Sequence, residues 1–155
     1  MNNKIKVVAS WAIALWSTYV FLGSLPYKFN GAAEPLHIFS TLGKWMSGTL
    51  GDTVGRLFTE YGAYLVGGFE LLTALILLAP IVLWSQRQKL HYIGGLMSTV
   101  VMAGAVFFHL FTPLGWVVKW TENGLLQTDS GLANAALSIL ILGVVMMLLN
   151  KKHNA

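Results

Sequence analysis

Four long apolar stretches, with the charges confined almost wholly to the gaps between them, leave this chain few ways to fold. Val7 to Leu25 and Gly131 to Leu149 contain no charged residue, Tyr92 to Val118 contains only His109, and Leu57 to Trp84 contains only Glu60 and Glu70. Crossing a hydrocarbon layer of about 30 Å takes roughly 20 helical residues, so each stretch is long enough to span it. None alternates apolar with polar residues, and a closed barrel needs more strands, so the spans are helices. Charged residues make up 10% of the chain, against about a quarter in soluble domains. The expectation is an all-α membrane protein of one domain covering 1–155. It is a bundle of four transmembrane helices near 5–25, 56–84, 91–112 and 130–150. Only the connection from Pro26 to Arg56 has room for structure of its own.

The net charge of +4 raises the question of an anionic partner such as nucleic acid, but its placement argues for membrane orientation instead. Lys4 and Lys6 precede the first span, Arg87 and Lys89 lie in the short second connection, and Lys151 and Lys152 follow the last span. No acid accompanies them. The first and third connections mix Lys28, Lys44, Arg56 and Lys119 with Glu34, Asp52, Glu122 and Asp129. Under the positive-inside rule both termini are cytoplasmic and no nucleic acid is implied. The lysines and apolar run at the N-terminus also suit a signal peptide, but the run exceeds the usual 7–15 residues or so. The chain has no cysteine, which excludes disulfides, thiol exchange and cysteine metal sites.

Within the first outer connection, Gly31-Ala32-Ala33-Glu34-Pro35 reads as a loop with proline placed to open a helix. Ile38, Leu42, Trp45 and Met46 then recur at helical spacing, which predicts a short amphipathic helix serving as an interfacial anchor or as a lid. Most of the tryptophans fall where helix ends meet headgroups, while Trp11 and Trp16 sit deeper.

Ionisable groups at membrane depth are costly when unpaired, so they normally face the bundle interior. Glu70 shares its helical face with Ala63, Gly67, Thr73 and Ala74, small residues that let a neighbouring helix approach. Desolvation there favours a neutral, proton-donating form, and a hydrogen bond to a carbonyl or hydroxyl of another span is the structural alternative. His109 shares its face with Ala105, Met102 and Ser98. Glu60, Tyr64 and Asn134 come to similar depth, and Tyr27, Lys28, Glu34 and His37 are placed to cover the same outer-half pocket. A His37–His109 pair is the minimum for haem or metal binding, but no spaced metal motif or haem-attachment sequence accompanies it. His91 and His153 are expected to be solvated at the cytoplasmic surface.

Three segments carry a family resemblance: Leu25-Pro26-Tyr27-Lys28-Phe29-Asn30-Gly31, Gly68-Phe69-Glu70-Leu71-Leu72, and Phe107-Phe108-His109-Leu110-Phe111-Thr112-Pro113-Leu114-Gly115. With the four-span layout, they make the chain resemble the DoxX-like family of small membrane proteins over nearly its whole length. The resemblance implies a bacterial inner-membrane protein, sometimes linked to quinone-dependent oxidation, with the family's intramembrane glutamate at Glu70 and its outer histidine at His109. Related four-span proteins in animals act as assembly chaperones, so fold alone does not fix activity.

The leading expectation is a small apolar ligand such as a quinone, held in the outer half. His109, Tyr64 and a protonated Glu70 act as donors, protons exchange through Glu60 or His37, and a soluble or membrane redox partner supplies electrons. The competing expectation is a non-catalytic scaffold or assembly factor in which Glu70 and His109 fix helix register. Small-solute transport is a third, for which Thr73, Ser98 and Thr99 offer a thin polar path. Whether the chain is an enzyme stays open at this point.

Overall fold

The computed structural model describes residues 2–151, so His153 lies outside the described residues. Five α-helices follow in order: α1 (Asn3–Phe29), α2 (Ala33–Leu50), α3 (Asp52–Leu78), α4 (Arg87–Phe111) and α5 (Gly131–Asn150). Short 3-10 turns at Ala79–Ile81 and Trp84–Gln86 join α3 to α4. α1, α3, α4 and α5 are each long and apolar enough to cross a membrane, so the chain is a multi-pass membrane bundle. Ser10 near the start of α1 bonds His91 near the start of α4, and Asn150 at the end of α5 bonds Ser10. That end, which also carries Lys4, Arg87, Lys89 and Lys151, is here the basic end; the opposite one, with α2 and the longer connections, is the loop end.

Several helix boundaries differ from the sequence reading, and one of them matters for the site. α1 does not stop at Pro26 but runs through it to Phe29. A proline inside a helix forfeits one i→i−4 bond, yet in the last turn the cost is small and the ladder resumes at once: Asn30 N–H donates to the Pro26 carbonyl at 3.0 Å. Gly31, at φ +67°, then ends the helix in the left-handed region. Tyr27 and Lys28 are therefore helical residues, not loop residues. α3 begins at Asp52, four residues earlier than expected, directly after Gly51 at φ +102°. It gives way to a 3-10 turn at Pro80. α4 likewise starts four residues early, at Arg87.

The amphipathic helix predicted in the first connection is α2. Pro35, Phe39, Leu42, Gly43 and Met46 form its buried face. It folds back along α3, where a side chain on Gly43 would press to 2.7 Å from the Gly55 carbonyl and one on Gly62 to 2.6 Å from Phe39. Gly43 and Gly55 allow backbone-to-backbone approach and Gly62 makes room for the Phe39 ring, the small-residue packing that holds helices together in an apolar medium.

The third connection contains a two-stranded antiparallel hairpin that the sequence reading did not anticipate. β1 (Val118–Glu122) pairs with β2 (Leu125–Asp129) in the register Val118 to Asp129 and Glu122 to Leu125. Asn123 and Gly124 both have positive φ, the two-residue turn that matches the twist of paired strands. Asn-Gly between β-prone runs is itself a strong hairpin signal. The hairpin delivers Asp129 to the start of α5, where its carboxylate accepts from Gly131 N–H at 2.9 Å and Leu132 N–H at 3.2 Å. Asp129 therefore caps the start of α5.

Candidate functional site

The loop-end half of the bundle encloses a cavity of about 660 Å³. All five helices contribute to its wall: Phe21 and Lys28 from α1, Phe39 and Leu42 from α2, Glu70 from α3, Met102 and His109 from α4, Ala136 from α5. Leu114 and Asp129 of the third connection also line it. Its size falls within the range of small-molecule sites, roughly 300–1,000 Å³, and its wall has their usual character, mostly apolar with a few polar groups.

Glu70 and Lys28 form one of those polar groups. The Lys28 ammonium donates to Glu70 Oε2 at 2.5 Å and to Ser24 Oγ at 2.9 Å. Glu70 is only 4% exposed. Ser24 and Lys28 stand four residues apart on α1, hence on one helical face, and the continuation of α1 past Pro26 aims that face at α3. The sequence reading expected Glu70 to donate a proton or to meet a carbonyl or hydroxyl. The hydroxyl is there, since Ser24 Oγ of α1 donates to Glu70 Oε2 at 3.0 Å, but the carboxylate also accepts from an ammonium, a pair whose charges compensate each other in a medium that solvates neither. Lys28 was not foreseen as the partner because a helix stopping at Leu25 leaves it in a loop.

His109 is the second polar group. Nδ1 lies 2.7 Å from the Gly115 carbonyl, and the ring meets Trp116 edge-on at 6.2 Å. A carbonyl oxygen only accepts, so Nδ1 must carry the hydrogen. The sharp turn at Gly115, with φ +73°, folds the carbonyl back over the end of α4. Glu34 is the third group. It lines the cavity from the first turn of α2, and its Oε1 is buried without a hydrogen-bond partner. Burial raises its pKa above the ordinary carboxylate range, and the neighbouring charges of Asp129 and Glu122 push it in the same direction.

The cavity brings together five of the residues singled out from sequence, Tyr27, Lys28, Glu34, Glu70 and His109. The other four lie off its wall. Tyr64 is 54% exposed and stacks on Phe29 at 6.1 Å, because six residues before Glu70 turns it about 120° away on the same helix. Glu60 is exposed. Asn134 is exposed as well, and its Oδ1 accepts from the Trp116 indole at 3.1 Å. His37 is half-buried on α2 and does not reach the wall. Among the described residues, no group of three or more His, Asp or Glu is placed to hold a metal ion.

A second polar cluster sits at the basic end, where the sequence reading expected a solvated His91. His91 is instead fully buried, with Nδ1 2.6 Å from Ser10 Oγ. Asn150 Nδ2 donates to Ser10 Oγ and to the Met146 carbonyl, both at 2.9 Å, and Arg87 donates to Asn150 Oδ1 at 3.3 Å. Trp11 closes over the imidazole edge-on at 4.9 Å and stacks on Trp84. The cluster ties α1, α4 and α5 together. Between it and the cavity, the hydroxyls of Ser17, Thr18 and Ser98 are buried without partners, while Thr73 and Thr99 bond carbonyls of their own helices.

No family model, curated protein or solved structure matches this chain.

Proposed function

We propose that the chain is an inner-membrane protein of bacteria, with both termini in the cytoplasm, that holds a small apolar ligand such as a quinone in its loop-end cavity. In this reading it is the membrane subunit of a redox system, and a soluble or membrane partner supplies the electrons. The observation that carries it is a single void joining Glu70, Lys28 and His109 within a mostly apolar wall. A flat ring lipid asks for such a slot, with a polar group at each oxygen. The positive-inside distribution of lysine and arginine supports the orientation, and the resemblance to DoxX-like proteins supports the class of ligand.

The test is direct. Protein extracted from its native membrane in mild detergent is analysed by mass spectrometry for bound quinone or other lipid and by absorbance for haem. A stoichiometric quinone is the expected result; recovery of none after native extraction sinks the reading. The competing scaffold reading draws on the Lys28–Glu70 pair, which joins α1 to α3 whether or not anything is bound. The double variant Lys28→Met with Glu70→Leu, which strands no charge, separates the two: a scaffold held by the pair loses its fold and partner contacts, and a ligand site keeps its fold and loses bound quinone.

A further inference from the structure

Resting on that reading of the cavity, we infer that the site selects its ligand in the hydroxyl-bearing form, a hydroquinone-type lipid over the corresponding quinone, with His109 Nε2 accepting the hydroxyl hydrogen. The hydrogen bond of Nδ1 to the Gly115 carbonyl at 2.7 Å commits that nitrogen as a donor. In the neutral ring the other nitrogen then carries a lone pair and no hydrogen, so Nε2 accepts and does not donate. Among the described residues Nε2 has no protein partner, and His109 forms part of the cavity wall. A hydroquinone hydroxyl placed there completes a hydrogen bond. A quinone carbonyl in the same place sets two lone pairs against each other and leaves both unpaired in an apolar surrounding, the costly side of the hydrogen-bond asymmetry.

The other polar end of the cavity does not discriminate in this way. Lys28 spends two of its three N–H groups on Glu70 and Ser24 and keeps one, beside a carboxylate that accepts. An ammonium and a carboxylate side by side serve a hydroxyl or a carbonyl equally. We assign selection between the two oxidation states to His109, whose tautomer is locked by a backbone carbonyl outside the cavity wall. Sites built to hydrogen-bond a hydroxyl reject analogues lacking it far more strongly than apolar pockets reject an extra methylene.

The experiment uses the full chain in lipid nanodiscs and three short-chain probes: a decyl hydroquinone, its quinone, and the di-O-methyl ether of the hydroquinone, which keeps the ring but has no hydroxyl hydrogen. Binding is followed by tryptophan fluorescence, Trp116 being in contact with His109. The expected result is a Kd at least about tenfold lower for the hydroquinone than for either other probe, equivalent to about 1.4 kcal/mol. His109→Phe abolishes the preference while leaving weaker binding of all three. His109→Gln, which keeps a donor for Gly115 and an acceptor for the ligand, retains the preference. Equal or tighter binding of the quinone by the wild type overturns the inference but leaves the cavity reading intact, as does a preference that survives in His109→Phe. Binding of none of the three overturns both. If His109→Phe does not fold, the comparison of the methyl ether with the hydroquinone on the wild-type and Gln proteins decides the matter.

Discussion

The basic half of this bundle and the wall of its cavity use glycine and buried histidine in opposite ways. At the basic end, glycines are filled in by their neighbours: a Cβ on Gly94 would sit 2.5 Å from Leu77, and one on Gly143 would sit 2.9 Å from the Gly95 carbonyl. In the cavity half, Gly23 and Gly104 line the wall and meet nothing within 4 Å. The histidines follow suit. His91 is fully enclosed, wedged between Ser10 and Trp11, while His109 lines the cavity. A buried polar group enclosed among three helices fixes helix register; one on a cavity wall is placed where a ligand can reach it. The contrast separates the part of the molecule that holds it together from the part proposed to bind a ligand.

The largest expected effect comes from breaking the one polar contact that belongs to both roles. Lys28→Met leaves the Glu70 carboxylate buried and unpaired, and is expected to cost about 3–5 kcal/mol in thermal or denaturant unfolding of the detergent-solubilised protein. The double variant Lys28→Met with Glu70→Leu removes both charges and is expected to recover most of that loss, since an apolar pair of similar volume is often as stable as a buried ion pair. Recovery without ligand binding marks the pair as kept for the site. A double variant as unstable as the single one instead marks it as a structural clamp.

A smaller effect, about 1–3 kcal/mol, is expected where the packing of the basic half is overfilled. Gly143→Ala drives a methyl against the Gly95 backbone, which has no rotamer with which to give way, so α4 and α5 must separate. Gly104→Ala places the same methyl in open space and is expected to leave stability unchanged while reducing ligand occupancy, because the methyl takes cavity volume. Equal destabilisation by the two substitutions removes the distinction between the halves.

Much of the architecture was legible because membrane spans are written in long, uninterrupted stretches whose length is fixed by the bilayer. The inward faces of Glu70 and His109 were legible for a related reason, since small neighbours at helical spacing mark the side where another helix lies. What escaped was decided by contacts between segments far apart in the chain. Pro26 reads as a stop signal, yet α1 continues because only one bond is forfeited in a terminal turn, and that continuation makes Lys28 the partner of Glu70. His91 stands among Arg87, Gln88 and Lys89, which suggests a wet turn, and its burial follows from the placement of Ser10 and Asn150, 81 residues before it in the one case and 59 after it in the other. Tyr64 and Glu60 have the right depth but the wrong azimuth, which a depth estimate cannot see. The hairpin, by contrast, was readable from Asn123-Gly124.

The smallest predicted effect concerns Glu34, at the rim where the cavity meets the hairpin. Its carboxyl is held above the ordinary glutamate value of 4.5, first by burial and then by the charges of Asp129 and Glu122, and Lys28 lines the same cavity. A carboxyl whose folded-state pKa is raised binds its proton more tightly in the folded chain than in the unfolded one. Folding is then penalised at pH values above the folded pKa, less so between the two values, and not at all below the unfolded one. Glu34→Gln, which keeps the shape and removes the charge, is expected to raise Tm at pH 8 and to converge with the wild type as pH falls towards 4.5. The measurement is a Tm series on both proteins across that interval. A difference that does not change with pH, or a wild type more stable than the variant at pH 8, removes the electrostatic strain assigned to this rim and leaves Glu34 as an ordinary helix-start carboxylate.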